Sequence, residues 1–273
     1  MTDLIQDSAK KLEVINNDHI LAKAHIDNVM QGRKIKKVLF VNPPDVDESV
    51  FDYDIAKRGR GNNYPSYGIG ILAAQLRQLE YSTELINLNH EILKKVYENK
   101  IEKDFNYNDA WQSSIVDKIN DFKPDIIGVS CLFSVTHNSF KKVCKFIKSK
   151  YNDTPIIVGG VHVSHDTEEV FKDLEGVDFV CMYEADLALP NLFEVINGKK
   201  SIDKIAQFAF KSIDKIVTFK NRLMPDGHTM SVMPAYDLMD IKAHSKYGTI
   251  GSWHGLLPSG TVVSTAQSNR GCR

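Results

Sequence analysis

Five short, unbroken apolar runs separated by helix-length segments constrain the fold of this chain more than any other feature. They run from Lys37 to Asn42, Thr83 to Leu88, Asp125 to Ser130, Pro155 to Gly159 and Asp178 to Met182. A strand buried on both faces reads as a continuous apolar run, whereas a strand with one wet face alternates. Apolar residues at helical spacing lie between and after these runs, at about 68–80, 109–122, 137–150, 165–174 and 186–197. Such alternation predicts an α/β fold, a doubly wound parallel sheet with right-handed crossovers. Five strands fit the flavodoxin-like (Rossmann-like) order 2-1-3-4-5, whose ligand crevice opens at the carboxyl ends of the strands.

The rest of the chain is organised around that body, expected over 36–200. Residues 1–35 form a helical lead-in with Leu12, Ile15, Ile20, Leu21, Ala24 and Val29 as its apolar positions. Over 201–260, the runs from Phe208 to Lys211 and from Ile216 to Phe219 predict a β-hairpin on the flank of the domain, followed by a Gly- and Pro-rich linker. A strand-like run from Thr261 to Ala266 opens the last segment, 261–273, which ends in Gly271-Cys272-Arg273. With 273 residues, 42% of them hydrophobic, the chain has material for one large domain or two modest ones. Its net charge of −1, with the signs interspersed, offers no electrostatic case for nucleic acid or an anionic membrane. No apolar run reaches the roughly 18 residues of a spanning helix. The start, Met1-Thr2-Asp3, is not that of a secretory signal, so a cytoplasmic location is expected. Cysteines 131, 144, 181 and 272 have no disulfide-like spacing and should be reduced, with Cys131 and Cys181 serving as small apolar residues inside strands.

Two strand ends carry the chemistry. The third run closes on Ser130-Cys131-Leu132 and the fourth on Gly159-Gly160, with 26 residues between Leu132 and Gly159. Singly, a strand-terminal serine and a Gly-Gly turn are commonplace. On neighbouring strands and in register they outline a slot: a hydroxyl to meet a ring nitrogen, and bare backbone for a planar group to slide along. Gly68-Ile69-Gly70 matches part of a dinucleotide fingerprint, but 25 residues separate it from Asn42 and the second strand ends in Asn87 and Asn89, not an acid. A nicotinamide site is therefore disfavoured, because the fingerprint needs its glycines directly after the first strand. His162 and His165 have no third ligand at matching spacing for a metal, and Ser164 is placed to cap the helix that follows. The Lys57-Arg58-Gly59-Arg60-Gly61 stretch suits a solvated loop, a lid, or a contact with another domain. Trp253 and His254 face a domain junction or pack the linker down.

The Ser-x-Leu and Gly-Gly pair at this spacing resembles the second half of the signature of cobalamin-binding domains. The first half, Asp-x-His-x-x-Gly, is absent: the corresponding loop reads Asn42-Pro43-Pro44-Asp45. With Asn42-Pro43-Pro44, the Tyr64 to Arg77 stretch, Val158 to His162 and Met233 to Leu238, the chain is similar to the amino-terminal cobalamin (B12)-binding domain of cobalamin-dependent radical S-adenosylmethionine enzymes. The family's Gly-Glu-Gly-Glu after the fifth strand is replaced by Tyr183-Glu184-Ala185-Asp186, which puts that loop's geometry in question.

The resemblance implies cobalamin as cofactor, with Ser130, Cys131, Leu132, Gly159 and Gly160 around its tail. Gly68, Gly70, His162 and Glu184 would lie near it, and Asn42, Pro43, Pro44 or Asp45 would face a cobalt that lacks a protein histidine. Cys272 would be the first of three cysteines of a [4Fe-4S] cluster that works with S-adenosylmethionine, the chain being cut before the other two. The reaction implied is methyl transfer to an unactivated carbon of a small-molecule substrate held by the missing barrel, and this fragment alone would be inactive. Cys272 as an incidental thiol, a stand-alone cobalamin carrier or sensor, and a nucleotide- or flavin-binding α/β domain remain the alternatives.

Overall fold

The computed structural model describes residues 17–213, 215–258 and 260–266. Among them, parallel strands form at all five apolar runs: β1 (Lys37–Asn42), β2 (Ser82–Asn87), β3 (Ile126–Ser130), β4 (Ile156–Gly159) and β5 (Phe179–Cys181). Helices cover 17–30 (α1), Tyr53–Lys57 (α2), Tyr67–Gln78 (α3), Leu88–Glu98 (α4), Tyr107–Phe122 (α5) and His137–Lys150 (α6). Further along come Val161–His165 (α7), Thr167–Asp173 (α8), Ala185–Ile196 (α9), Gly227–Met230 (α10) and Ile241–Tyr247 (α11). The sheet order is β2-β1-β3-β4-β5-β6-β7, so the expected 2-1-3-4-5 core is extended to seven strands. The hairpin β6 (Phe208–Lys211) and β7 (Ile216–Phe219) is not a separate flank. It continues the sheet antiparallel, with Cys181 opposite Phe208 and Val180 opposite Ala209.

Alternate residues of each strand feed two cores, which is why the runs are unbroken. Leu39, Val41, Ile156 and Val158 point into one, with Trp111, Phe140 and Ile147 from the covering helices. Val38, Phe40 and Ile157 point into the other, against Ala22 and Ile26 of α1, Leu76 of α3 and Phe193 of α9. The lead-in helix docks through Ala22, Ile26 and Met30, spaced four apart, while Ile20 and Ala24 are exposed. Leu21 and Val29 pack at the edge of that contact, and Leu12 and Ile15 lie outside the described residues.

Several expectations need correction. Helix α4 was hidden because Asn87 ends β2 and also caps α4, accepting from the His90 N–H at 3.2 Å, so no spacer marks the boundary. The helix expected at 165–174 is α8, preceded across Asp166 by the separate short helix α7, and Ser164 caps neither. The run from Thr261 to Ala266 is not a strand; Val263 is tied down by reciprocal hydrogen bonds with the Ser245 hydroxyl at 2.9 and 3.0 Å. Cys131, Cys144 and Cys181 are free and buried, with Cys131 one residue beyond β3. Among the described residues, no helix is long and apolar enough to cross a membrane.

The segment 45–64 is anchored, not free. The Lys57 ammonium donates to the carbonyls of Val96 and Tyr97 at the end of α4, at 3.2 and 2.8 Å. Asn63, fully buried, donates to the His244 carbonyl at 2.9 Å and bonds the His90 ring at 3.1 Å. The His90 and His244 rings stack with centroids 4.1 Å apart, fastening α4 to the linker helix α11. Burial, with the neighbouring His244 second, holds the His90 imidazole down at about 3 from its ordinary 6.5. The unfolded chain therefore takes up this proton at a pH where the folded chain does not. His90's contribution is full above pH 6.5 and is lost as pH falls toward 3. His90→Phe should flatten the acid-side dependence of urea-unfolding stability by about 1.4 kcal/mol per pH unit below 6.5; an unchanged slope would contradict a neutral, buried His90.

Candidate functional site

A cleft of about 1080 Å³ opens at the carboxyl ends of β1, β3, β4 and β5, where the strand order reverses between β1 and β3. The register sets its floor, with Ser130 opposite Gly159 and Gly159 opposite Cys181. The Cys131 N–H donates to the Gly159 carbonyl at 2.8 Å, which carries the ladder one residue past Ser130. At Gly160 the backbone turns with φ +116°, and a Cβ there would lie 2.2 Å from the Cys131 carbonyl oxygen. Only glycine fits such an approach. Gly159 is also close, its notional Cβ 3.3 Å from the Cys181 carbonyl oxygen. Gly68 differs: it opens α3 on the cleft wall with nothing within 4 Å of its notional Cβ.

Eight of the expected site residues line this cleft: Asn42, Asp45, Gly68, Ser130, Leu132, Gly159, Gly160 and Glu184. Five do not. Pro43 and Pro44 are buried away from its wall, and Cys131 turns its thiol toward the Phe133 carbonyl at 3.5 Å. Gly70 faces the linker, where a Cβ would meet the Met239 side chain at 2.5 Å and that of Pro234 at 3.3 Å. His162 lies on the opposite side of α7 from Val161, Ser164 and His165, which do line the cleft. Its ring bonds His137 at 2.9 Å and the Ser134 hydroxyl at 3.0 Å beside a separate recess of about 340 Å³. Among the described residues, no cluster of three His, Cys, Asp or Glu side chains could hold a metal. Cys272 lies outside the described residues.

Asparagines set the first-strand side of the cleft. Asn42 donates to the side-chain Oδ1 of Asn87 at 3.4 Å, and the Asn87 side-chain amide donates to the Tyr64 backbone carbonyl at 3.0 Å. Asn89 accepts from the Asp45 N–H at 3.2 Å and donates to the Asn62 carbonyl at 2.8 Å. Positions where a ribose-binding acid would stand thus serve to tie the β1 loop to the returning 62–66 segment. Burial pushes the half-buried Asp45 carboxyl up to about 6, so it exchanges its proton near neutrality.

The residues that sequence reasoning missed are mainly apolar. Phe133, Val135 and Val161 line the cleft while 65%, 81% and 59% exposed, beside Leu132 at 50%. Large apolar side chains concentrated at a concave site mark a surface that a ligand or partner covers. A signal existed: Leu132-Phe133 and Val135 continue past a strand end where polar turn residues are usual. Tyr183 is the second surprise. It takes φ +59°, in the left-handed region that favours glycine, at the position where the family pattern has a glycine.

Residues 54–193 match the family model of the B12 binding domain. An uncharacterized methyltransferase of Pyrococcus horikoshii is 24% identical over 239 residues, covering 88% of this chain and 44% of that protein. The cytidylyl-2-hydroxyethylphosphonate methyltransferase of Streptomyces wedmorensis is 22% identical over 260 residues, covering 89% and 47%. The chain thus spans less than half the length of these curated relatives. Among solved structures, the cobalamin-dependent S-adenosylmethionine radical enzyme OxsB, with aqua-cobalamin and S-adenosylmethionine bound, shares the fold at a TM-score of 0.54 and 18% identity, over 78% of this chain and 25% of that one. The radical S-adenosylmethionine methyltransferase TsrM of Kitasatospora setae, with cobalamin and a [4Fe-4S] cluster bound, aligns at 0.51 and 15% identity, over 73% and 31%.

Gly160→Ala tests the close approach directly. It should lower unfolding stability by at least about 2 kcal/mol in urea titration, through left-handed strain added to the backbone clash. A change below about 0.5 kcal/mol, the usual scatter of neutral substitutions, would mean that the β3 and β4 ends are not held at this distance.

Proposed function

The chain belongs to the B12-binding domain family, and on that premise we propose that its cleft holds cobalamin as the cofactor-binding part of a radical S-adenosylmethionine methyltransferase. The observation that carries this reading is the slot between β3 and β4, with a hydroxyl on one wall and two side-chain-free residues on the other. The residues present fit the group. A benzimidazole tail needs a flat, narrow passage with one polar contact, and Ser130 with Gly159 and Gly160 offers that. A corrin needs a broad apolar bed, and Leu132, Phe133, Val135 and Val161 surround an opening left clear at Gly68. Bound cobalamin supplies a cobalt centre able to carry a methyl group.

What this chain's own residues do is bind, orient and exclude water. Ser130 would offer its hydroxyl to a tail nitrogen, the glycines would leave room for the planar tail, and the apolar rim would exclude water from the opposite side. At the end of β1 Asn42 offers a neutral amide, and on the loop that follows Asp45 offers a carboxyl that keeps its proton below about pH 6. Neither is an imidazole, so this loop would offer a bound cobalt no histidine. In the full enzyme, Cys272 would be the first of three cluster cysteines, with S-adenosylmethionine and a small-molecule substrate held by a further domain in a cytoplasmic setting, and with no nucleic-acid partner. Methyltransferase relatives of about twice this length support that extension.

Equilibrium dialysis against hydroxocobalamin and against flavin mononucleotide, for the chain and for Gly68→Trp, tests the reading. The chain should retain cobalamin and not flavin. Because position 68 faces open space, the tryptophan should enter the cleft, leave the fold intact by circular dichroism and weaken cobalamin retention at least about tenfold, or about 1.4 kcal/mol. Retention of flavin alone would favour a nucleotide-binding domain, and undiminished cobalamin binding by Gly68→Trp would place the ligand elsewhere.

A further inference from the structure

We propose that Arg222, stacked on Tyr183 at the cleft wall, is the contact for the phosphodiester of the cobalamin nucleotide tail. This rests on the cobalamin reading above and assigns one residue to one part of the ligand. Among the described residues that line the cleft, Arg222 is the only lysine or arginine, and the other ionisable side chains there include Asp45, Glu184, Asp186 and His165. Its guanidinium carbon lies 4.0 Å from the centroid of the Tyr183 ring. Among the described residues it is paired with no carboxylate, so its N–H fork is available to a ligand.

The position is built from strained and buried parts. Tyr183 has φ +59°, which costs a bulky residue about 1–3 kcal/mol and persists only where the surroundings impose it. Its N–H donates to the Ser164 hydroxyl oxygen at 2.7 Å, and that hydroxyl donates to the Gly160 carbonyl at 2.9 Å. The ring under Arg222 is therefore tied, through one side chain, to the glycine that shapes the slot. From the other side, Gln207 is fully buried at φ +59°. Its amide donates to the Glu184 carbonyl at 2.7 Å, and its carbonyl oxygen accepts from the Leu223 N–H at 2.6 Å. A single side chain thus clamps the loop bearing Tyr183 and the segment bearing Arg222. Locking the stack in advance reduces the entropy lost when a ligand arrives.

The chemistry selects the ligand group. A phosphodiester keeps its negative charge at any physiological pH, and an apolar cleft penalises that charge unless it is paired. The planar guanidinium matches two phosphate oxygens at once, and stacking on an aromatic face leaves that edge free. The corrin ring itself presents neutral amides, so the phosphodiester is the one fixed anion of cobalamin.

Equilibrium dialysis of the wild-type chain, Arg222→Ala and Arg222→Lys against hydroxocobalamin and against dicyanocobinamide, which lacks the nucleotide tail and its phosphodiester, separates the possibilities. Arg222→Ala should bind hydroxocobalamin about 10- to 100-fold more weakly, the range for a lost hydrogen bond to a charged group, and Arg222→Lys should recover part of that loss. Retention of cobinamide should be the same in all three chains. Wild-type affinity for hydroxocobalamin in Arg222→Ala, equal losses for both ligands, or a lysine variant no better than alanine would overturn the assignment. A wild-type chain that retains neither ligand overturns the cobalamin reading, and this assignment with it.

Discussion

Past β4 the backbone passes so near the end of β3 that a Cβ on Gly160 would sit 2.2 Å from the Cys131 carbonyl oxygen. That approach needs a residue with no side chain in a conformation that L residues rarely adopt. Because Ser130 pairs with Gly159 in the ladder, the same approach aligns a hydroxyl with a strip of bare backbone. The sheet supplies the register, and the switch between β1 and β3 supplies the opening. The slot follows from both.

Around it, polar side chains do structural work that frees the cleft wall for apolar groups. Asn87 and Asn89 satisfy the backbone of the segment that returns over the first strands, and Asn42 bonds the Asn87 side chain. Gln207 does the same for the fifth-strand loop and the entry to the linker. With the backbone satisfied in this way, Leu132, Phe133, Val135 and Val161 can remain exposed at the rim. Covering such a surface returns about 25 cal/mol for each Å² of apolar area buried. A large, mostly neutral ligand can be held by that area and then oriented by a few polar contacts.

The strands were legible because burial on both faces writes itself as unbroken apolar runs, and the Ser130 and Gly159-Gly160 register followed from their being on adjacent strands. Helix α4 was not, since Asn87 ends a strand and caps a helix at once; the spacing of Leu88, Ile92 and Val96 was its only trace. The flank hairpin joined the sheet because Cys181 and Phe208 pair across β5 and β6, a long-range contact that no local pattern encodes. At the site, His162 was misplaced by nearness in sequence, since one helical step turned it away from the cleft. Arg222 was invisible for the opposite reason: it lies 40 residues beyond Met182, at the start of the segment after β7, which has no periodicity to read.

A crystal structure of the chain grown with hydroxocobalamin decides whether the tail of cobalamin lies between the ends of β3 and β4. Density for the benzimidazole is expected between Ser130 and Gly160, with the corrin against Leu132, Phe133 and Val161. Cobalamin bound on another face, or a slot left closed with the tail folded back onto cobalt outside it, would mean that the slot is not the tail's site.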